Sequence, residues 1–122
     1  MNFEHSYGII PVKKDIDTNQ WQLFIVQHRK GQHWGFPKGH PHDKELPQET
    51  AKRECFEETR LLVVRFFSSI PIEEHYNCQK ENQQVDKQVT YYLAQVAGSV
   101  QLQKEEILTG GFFFYEEALA KL

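Results

Sequence analysis

The stretch RECFEETR, residues 53–60, concentrates acidic side chains that could do chemistry. Glu54, Glu57 and Glu58 are spaced so that on a helix they share one arc of roughly 100°. Such an arc is unfavourable by itself, because like charges three and four residues apart repel and a helix C-terminus disfavours negative charge. Hard divalent cations such as Mg²⁺ take several oxygen ligands of this kind together with substrate phosphates. The stretch alone leaves two hypotheses open, a cation site and a solvated acidic face paired with neighbouring basic residues.

Regular elements on both sides must position this arc. Good helix formers run from Pro47 to Thr59, and a proline suits the first helical turn. The neighbouring arc of this helix, which can face a core, carries Ala51, Cys55 and Thr59. Apolar, β-branched and aromatic content predicts strands at 7–14, 21–28, 61–72 and 88–97.

Three further segments complete the prediction. Residues 29–45 are too rich in Gly, Pro and His for a regular element and predict a long functional loop. Residues 73–87 are polar and predict a hairpin loop, and residues 115–122 begin a last helix. Strands that alternate with two helices predict an α/β sandwich around a mixed sheet.

Length and composition narrow the class of protein. With 122 residues, 39% hydrophobic and 25% charged, the chain predicts one globular domain over residues 1–122. A net charge of −3 argues against a general nucleic-acid coat, which needs a basic surface. Cys55 and Cys78 match no metal or disulfide pattern and predict free thiols in a reducing compartment. Because no signal peptide or long apolar run is found, we expect a cytoplasmic protein without membrane contact.

The segment GHPHDKELPQETAKRECFEETRL, residues 39–61, resembles the Nudix box, G-x5-E-x7-R-E-U-x-E-E-x-G-U, where U is a bulky aliphatic residue. Two positions depart from that pattern. Cys55 replaces an aliphatic residue, a mild change because buried Cys behaves as a small hydrophobe. Arg60 replaces the glycine that would cap the helix in a left-handed conformation, which costs a non-glycine residue about 1–2 kcal/mol. The resemblance implies a Nudix-type α/β/α sandwich around a mixed β-sheet and a metal-dependent hydrolase.

The same resemblance implies a role for each matching residue. The oxygen ligands that it implies for Mg²⁺ or Mn²⁺ are the Gly39 carbonyl, Glu54, Glu57 and Glu58. Glu54 is the first candidate for the general base, and Glu106, in a loop before GGFFF, is the alternative base or ligand. Arg53 is expected to orient a catalytic glutamate through a bidentate pair, and Glu45 to tie the loop to the helix.

Two more segments resemble the asymmetrical diadenosine tetraphosphate hydrolases within the Nudix superfamily. HWGFPKGH, residues 33–40, is similar to their W-x-x-P-K-G-H motif, and TYYLAQV, residues 90–96, to a strand that they carry further on. This implies cleavage of diadenosine tetraphosphate to ATP and AMP. The substrate-binding residues that it implies are Lys38, Lys87 and His33 for the polyphosphate and Tyr76 for an adenine ring. Related hydrolases usually continue through a longer last helix than residues 115–122 provide, which weakens this substrate assignment.

Other functions are compatible with the same residues. The chain could remove pyrophosphate from RNA 5′ ends, or cleave nucleoside triphosphates to monophosphate and pyrophosphate. A nucleotide-sensing Nudix-like module without enzymatic activity is a further alternative, although such a domain would often have lost one of the glutamates. The expected partner is a small nucleotide, with an RNA 5′ end as the alternative, and no protein partner is implied.

Overall fold

A computed structural model of the protein describes residues 2–67 and 70–122. In this part of the chain an eight-stranded mixed sheet is combined with two helices, which confirms the predicted α/β class. The elements in chain order are β1 (Asn2–Lys14), β2 (Trp21–His28), β3 (Trp34–Gly35), β4 (Lys38–Gly39), α1 (Pro47–Thr59), β5 (Leu62–Phe66), β6 (Ile72–Lys80), β7 (Gln83–Ala97), β8 (Ile107–Phe114) and α2 (Tyr115–Lys121).

Strand β1 is the central strand of the sheet and changes partners along its length. It pairs in parallel with β7 from Asn2 to Val12, and it pairs antiparallel with β2 only at residues 12–14. Nearer the N-terminus of β1, the neighbouring strand on this side is β4 instead of β2, and Gly39 lies opposite Tyr7. Strands β5 and β6 pair with successive parts of β7, and β3 and β8 pair with β2. This change of partner places residues 38 and 39 beside the middle of the sheet.

Gly8 allows β4 to approach β1 closely. A Cβ atom at Gly8 would lie 2.8 Å from the Lys38 Cβ and would collide with the Pro37 carbonyl oxygen. The Pro37 carbonyl accepts a hydrogen bond from the Ile9 N–H at 3.1 Å. The loop that leads into the Nudix-like segment is therefore held against β1 by backbone contacts.

The core lies on both faces of the sheet. The cluster that α1 joins contains Ile9, Phe24, Val26, Ala51, Cys55, Leu61, Tyr92, Ala94, Val96 and Ile107. The smaller cluster on the other face contains Ile10, Val12, Val89 and Tyr91. Ala51, Cys55 and Thr59 are all fully buried, which confirms the predicted core-facing arc of the helix.

Several predicted elements are confirmed. The helix over 47–59 and the strand over 21–28 have the predicted bounds, and the last helix begins at Tyr115. Cys55 and Cys78 are free thiols. Among the described residues, no helix is both long and apolar enough to span a membrane.

The prediction of a polar hairpin loop over 73–87 is wrong. These residues form most of β6 and the start of β7, which pair in register from Ile72 opposite Tyr91 to Lys80 opposite Gln83. Only Glu81 and Asn82 form the turn, and both have positive φ, as the central residues of a type I′ hairpin turn do.

The other differences concern short or unpredicted strands. The predicted strand 61–72 is β5 up to Phe66, and its residues 68 and 69 lie outside the described residues. The loop 29–45 contains the short strands β3 and β4, and β8 was not predicted.

Candidate active site

Both ends of α1 are capped by local hydrogen bonds, and these fix the direction in which its acidic arc faces. The Glu49 side chain accepts a hydrogen bond from the Leu46 N–H at 2.9 Å, and Pro47 occupies the first turn. At the other end Arg60 has φ 67° and ψ 9°, and its N–H donates to the Phe56 carbonyl at 2.8 Å. Its guanidinium lies 4.9 Å from the Phe56 ring centre. Arg60 thus takes the left-handed conformation that a glycine would adopt with less strain.

Arg53 connects the helix to the loop before it. Its Nε and one terminal nitrogen donate to the two carboxylate oxygens of Glu45 at 2.8 and 3.0 Å, and the same terminal nitrogen donates to the His40 carbonyl at 2.9 Å. Its other terminal nitrogen lies 3.1 Å from both Glu54 Oε2 and Glu57 Oε1. One guanidinium therefore sets the position of the loop and of two glutamates on the arc.

Glu45 holds the loop from its other side. It accepts hydrogen bonds from the His42 N–H at 2.9 Å and from the Thr50 hydroxyl at 2.7 Å. The hydrogen bonds from Arg53, followed by those from His42 and Thr50, lower the pKa of Glu45 to about 2. Glu45 is therefore ionised at neutral pH and ties the loop to the helix.

The Glu54 carboxylate lies directly against Gly39 of β4. A Cβ atom at Gly39 would overlap that carboxylate, so only glycine leaves room for it. Burial raises the pKa of Glu54, the Arg53 charge opposes that change, and the Glu57 charge adds to it. The backbone of β4 and a partly buried carboxylate of α1 thus meet at one point.

Glu58 is the buried member of the arc, with only 3% of the residue exposed. Its Oε1 atom is buried and has no hydrogen-bond partner among the described residues. Burial raises the pKa of Glu58 well above its usual range, the charges of Glu54 and Glu106 raise it further, and Lys38 lowers it. A buried carboxylate oxygen without a partner is costly unless a cation or a donor completes the site.

These residues fit a hard divalent cation. The Glu54 carboxylate lies against Gly39, and the unpartnered Glu58 oxygen is the kind of atom that a cation would satisfy. Within residues 2–67 and 70–122, no three His, Cys, Asp or Glu side chains converge in a group that could hold a metal ion by themselves. A cation here would therefore take the Gly39 carbonyl and substrate oxygens as further ligands, as Mg²⁺ commonly does.

Lys38, in β4 of the sheet, interacts electrostatically with the acidic arc. Burial lowers the pKa of Lys38 and so does the charge of Lys87, whereas the carboxylates of Glu58, Glu74 and Glu54 raise it. Lys38 is therefore within electrostatic reach of both the arc and Lys87. Both predicted phosphate-binding lysines therefore interact with each other, and Lys38 also interacts with the predicted cation ligands Glu54 and Glu58.

Tyr76 and Lys87 are direct neighbours across β6 and β7. Tyr76 keeps 38% of its surface exposed, which leaves its ring available for stacking. Both residues also border a cavity of about 230 Å³ whose remaining lining is Phe3, His75, Asn77 and Asp86. The structure thus brings Tyr76 next to the predicted phosphate-binding lysine.

His33 stacks on His28, a residue that sequence reasoning missed. The two ring centres are 4.6 Å apart, and the backbone N–H of His28 donates a hydrogen bond to the backbone carbonyl of His33 at 2.9 Å. Burial lowers the pKa of His28 to about 4, helped by the charges of His33 and Lys38, and its Nε2 is buried without a hydrogen-bond partner. Burial also lowers the pKa of His33. Near neutral pH His28 is therefore an uncharged imidazole with a free polar atom.

Glu106 lies on the loop that faces the C-terminal end of α1. Its N–H donates to Gln103 Oε1 at 2.8 Å, and the Gln103 N–H donates to the Glu58 carbonyl at 2.9 Å. Glu106 is exposed and close enough for its charge to raise the pKa of Glu58. It sits immediately before β8, within reach of the arc.

Glu4 is a second residue that sequence reasoning missed. Its carboxylate lies within ion-pair distance of Lys80, Lys87 and His40, which come from β6, from β7 and from the residue after β4. No sequence pattern could reveal it, because these partners are 36 to 83 positions away in the chain.

The comparisons with known proteins identify the family to which this chain belongs. The NUDIX domain family model matches residues 12–122. The m7GpppN-mRNA hydrolase dcap-2 of Caenorhabditis elegans is 43% identical over 56 residues, which are 44% of this chain; the match spans only 7% of that protein.

Two solved structures show the same fold. The C. elegans Ap4A hydrolase is 22% identical, with a TM-score of 0.71 over 99% of this chain and 86% of that chain. The NUDIX domain of Shewanella oneidensis NrtR, complexed with ADP ribose, is 14% identical, with a TM-score of 0.76 over 100% of this chain and 79% of that chain. Since the family model covers residues 12–122, the protein belongs to the NUDIX domain family.

Proposed function

We propose that the protein is a metal-dependent hydrolase that cleaves a phosphoanhydride bond in a nucleoside polyphosphate, with diadenosine tetraphosphate as substrate and ATP and AMP as products. The observation that carries this proposal is the contact between the Glu54 carboxylate and Gly39, beside the buried, unpartnered oxygen of Glu58. Family membership supports hydrolysis, and the similarity to an Ap4A hydrolase supports this substrate.

Glu54, Glu57, Glu58 and the Gly39 carbonyl would hold Mg²⁺ or Mn²⁺. When bound, the cation supplies positive charge that neutralises the oxygens of the reacting phosphate. Arg53 keeps Glu54 and Glu57 in place through its hydrogen bonds at 3.1 Å. Because Arg53 is itself held by Glu45, both act as positioning residues.

Glu54 is the proposed general base. A water oxygen forms a bond to phosphorus, its proton passes to the Glu54 carboxylate, and the anhydride P–O bond breaks so that the leaving phosphate takes the electron pair. Burial raises the pKa of Glu54, which makes its carboxylate a stronger base. Glu106, at the edge of the arc, is the alternative base or ligand.

The substrate would extend from the arc over the sheet. Lys38 and Lys87 would bind phosphate oxygens as point charges, and His33 would contact the same polyphosphate group. Tyr76, whose ring is partly exposed beside Lys87, would stack on an adenine.

Product analysis in water enriched in heavy oxygen tests the proposal. Incubation with diadenosine tetraphosphate and MgCl2 is expected to give ATP and AMP, one of them carrying the label. Glu54→Gln should lower kcat by about 10²–10⁴-fold, the usual contribution of a general base. Glu116→Gln, which removes the same charge from the exposed start of α2, is the matched control and should leave turnover unchanged. Turnover that is independent of added metal, or unaffected by Glu54→Gln, would contradict the proposed chemistry.

Removal of a 5′ group from RNA is the second candidate. Its specific support is the local similarity to dcap-2, which is an mRNA hydrolase by name. An RNA with a 5′ triphosphate and an RNA with an m7G cap are therefore included as substrates in the same assay. Faster turnover of either RNA than of diadenosine tetraphosphate would favour this candidate, and nucleotide binding without any turnover would favour a sensing module.

A further inference from the structure

Lys121, the last residue of α2, lies over two aromatic rings that belong to different strands. Its Nζ is 4.9 Å from the centre of the Trp34 ring in β3 and 5.1 Å from the centre of the Phe113 ring in β8. The two rings meet edge to face, with their centres 5.9 Å apart. A lysine ammonium within about 6 Å of a ring centre is attracted to the ring face. One cation therefore contacts both members of an aromatic pair.

The Trp34 ring meets Phe113 across β2. Val26 and Gln27 of β2 pair with β3 along one edge of the strand and with β8 along the other. Because β2 lies between β3 and β8, the contacts of Trp34 with Phe113 and Lys121 connect two strands whose backbones pair with β2 instead of with each other. These ring contacts therefore tie β3 to the C-terminal part of the fold.

Strand β3 depends on such contacts because it is short. It consists of Trp34 and Gly35 and lies at the edge of the sheet. Two residues offer few backbone hydrogen bonds, and elements with few stabilising contacts open locally at low free energy. Loss of the Lys121 cation should therefore let β3 open more often while the rest of the sheet stays folded.

The residue directly before Trp34 is His33, which is the proposed contact of the polyphosphate. Local hydrogen bonds already close this loop, because the His33 carbonyl accepts from the His28 N–H at 2.9 Å and the Gln32 carbonyl accepts from the Gln27 side chain at 2.9 Å. Both bonds join the loop only to the end of β2. The contacts of Trp34 with β8 and α2 add an attachment on the far side of β2, and Trp34 shares a peptide bond with His33.

We propose that Lys121 is a positioning residue, whose ammonium group holds Trp34 against Phe113 and thereby fixes the loop that places His33 next to the substrate. The inference rests on the proposed function for the role of His33, whereas the effect of Lys121 on β3 can be measured without any substrate. His33 would contact the polyphosphate in the ground state and in the transition state alike. A loosened loop should therefore raise KM and leave kcat unchanged.

Hydrogen exchange of the backbone amides that join β2 and β3 tests the hold on the loop. Lys121→Met removes the charge and keeps a long, unbranched side chain at this exposed position. It should speed exchange of these amides about two- to five-fold, the factor that corresponds to one cation–π contact near the surface, and leave exchange in β7 unchanged. Lys121→Arg keeps a cation that can stack on both rings and should restore the wild-type rates.

Lys14→Met is the matched control. The Lys14 Nζ lies 5.5 Å from the centre of the Trp21 ring, so this variant removes the same kind of contact from another part of the sheet. It should leave exchange of β3 and the KM for diadenosine tetraphosphate unchanged. Lys121→Met should raise that KM about two- to five-fold at constant kcat, and Lys121→Arg should keep it near the wild-type value. Thermal unfolding of each variant shows whether it is folded.

The possible outcomes are distinct. Unchanged exchange of β3 in Lys121→Met, or faster exchange confined to α2, would overturn the inference, because the charge would then act only on its own helix. Faster exchange of β3 in an active enzyme with an unchanged KM would overturn it as well. Faster exchange that Lys121→Arg reverses, in a protein that hydrolyses no nucleotide, would support the hold of Lys121 on the loop and contradict the proposed function.

Discussion

Mild acid is expected to destabilise the protein through His28. Burial, together with the charges of His33 and Lys38, lowers the pKa of His28 from 6.5 to about 4. The unfolded chain therefore takes up a proton near pH 6.5, whereas the folded protein takes it up only near pH 4. The stability that this group contributes is complete above pH 6.5 and is lost as the pH falls from 6.5 through about 4.

The expected size follows from the same values. The difference between 6.5 and about 4, at about 1.4 kcal/mol per pH unit, sets an upper limit of about 3 kcal/mol below pH 4. At pH 5 the unscreened loss is about 2 kcal/mol. Because His28 is partly open to solvent, screening reduces this contribution, and we expect a loss of about 1 kcal/mol between pH 7.5 and pH 5.

The difference in pH dependence between the wild-type protein and His28→Gln, from urea unfolding between pH 5 and 7.5, measures this loss, because the raised pKa of Glu58 acts in the opposite direction in both proteins. His28→Gln, which cannot titrate, should flatten the pH dependence in this window by about 1 kcal/mol, whatever its effect on stability at pH 7.5. His42→Gln, at an exposed position, is the matched control and should leave the slope unchanged. The carboxylate of Glu45, with its pKa near 2, contributes chiefly below this window. An unchanged slope in His28→Gln would refute the reasoning.

Three further substitutions test the construction of the site. Gly39→Ala would place a methyl group where the Glu54 carboxylate lies, so metal-dependent kcat should fall by at least about ten-fold while the melting temperature changes little; normal turnover would contradict this contact. Arg60→Gly should give a higher free energy of urea unfolding than Arg60→Ala, by about 1 kcal/mol, because both lose the contact with Phe56 but only glycine relieves the left-handed strain. Arg53→Lys keeps the charge but not the bidentate pair with Glu45, so kcat should fall by about 10–100-fold; a change confined to KM would count against its positioning role.

Helix α1 could be predicted from sequence because its determinants are local. Pro47 starts the helix, the acidic spacing defines one face, and the partners Glu45 and Arg53 are eight residues apart. Because these residues are close together in the sequence, few relative positions of their side chains are possible once the helix has formed. The sequence also predicts that position 60 caps the helix in a left-handed conformation, which is unfavourable for arginine. Arg60 adopts that conformation, with φ 67°.

The hairpin of β6 and β7 could not be predicted in the same way. Most residues of β6 are exposed, so the segment lacks the alternation of apolar and polar residues that marks a half-buried strand. Strand β8 could not be predicted because it contains Gly110 and Gly111, and glycine is generally unfavourable in strands. Glycine avoids a tight contact here, because a Cβ atom at Gly110 would lie 3.0 Å from the Ile25 carbonyl oxygen of the neighbouring strand β2.

The two missed polar residues, His28 and Glu4, have a common explanation. His28 is surrounded by His33 of the following loop and by Lys38 of β4, and Glu4 by basic side chains of β6 and β7, and these surroundings exist only in the folded protein. The site therefore combines a helix-local part, which would supply the chemistry, with a cross-strand part, which would select the substrate. A family resemblance carried by one short segment can identify the first part but says little about the second. Substitutions on α1 should accordingly lower kcat, whereas substitutions of Lys87 and Tyr76, which are neighbours across β6 and β7, should change KM and the ratio between substrates.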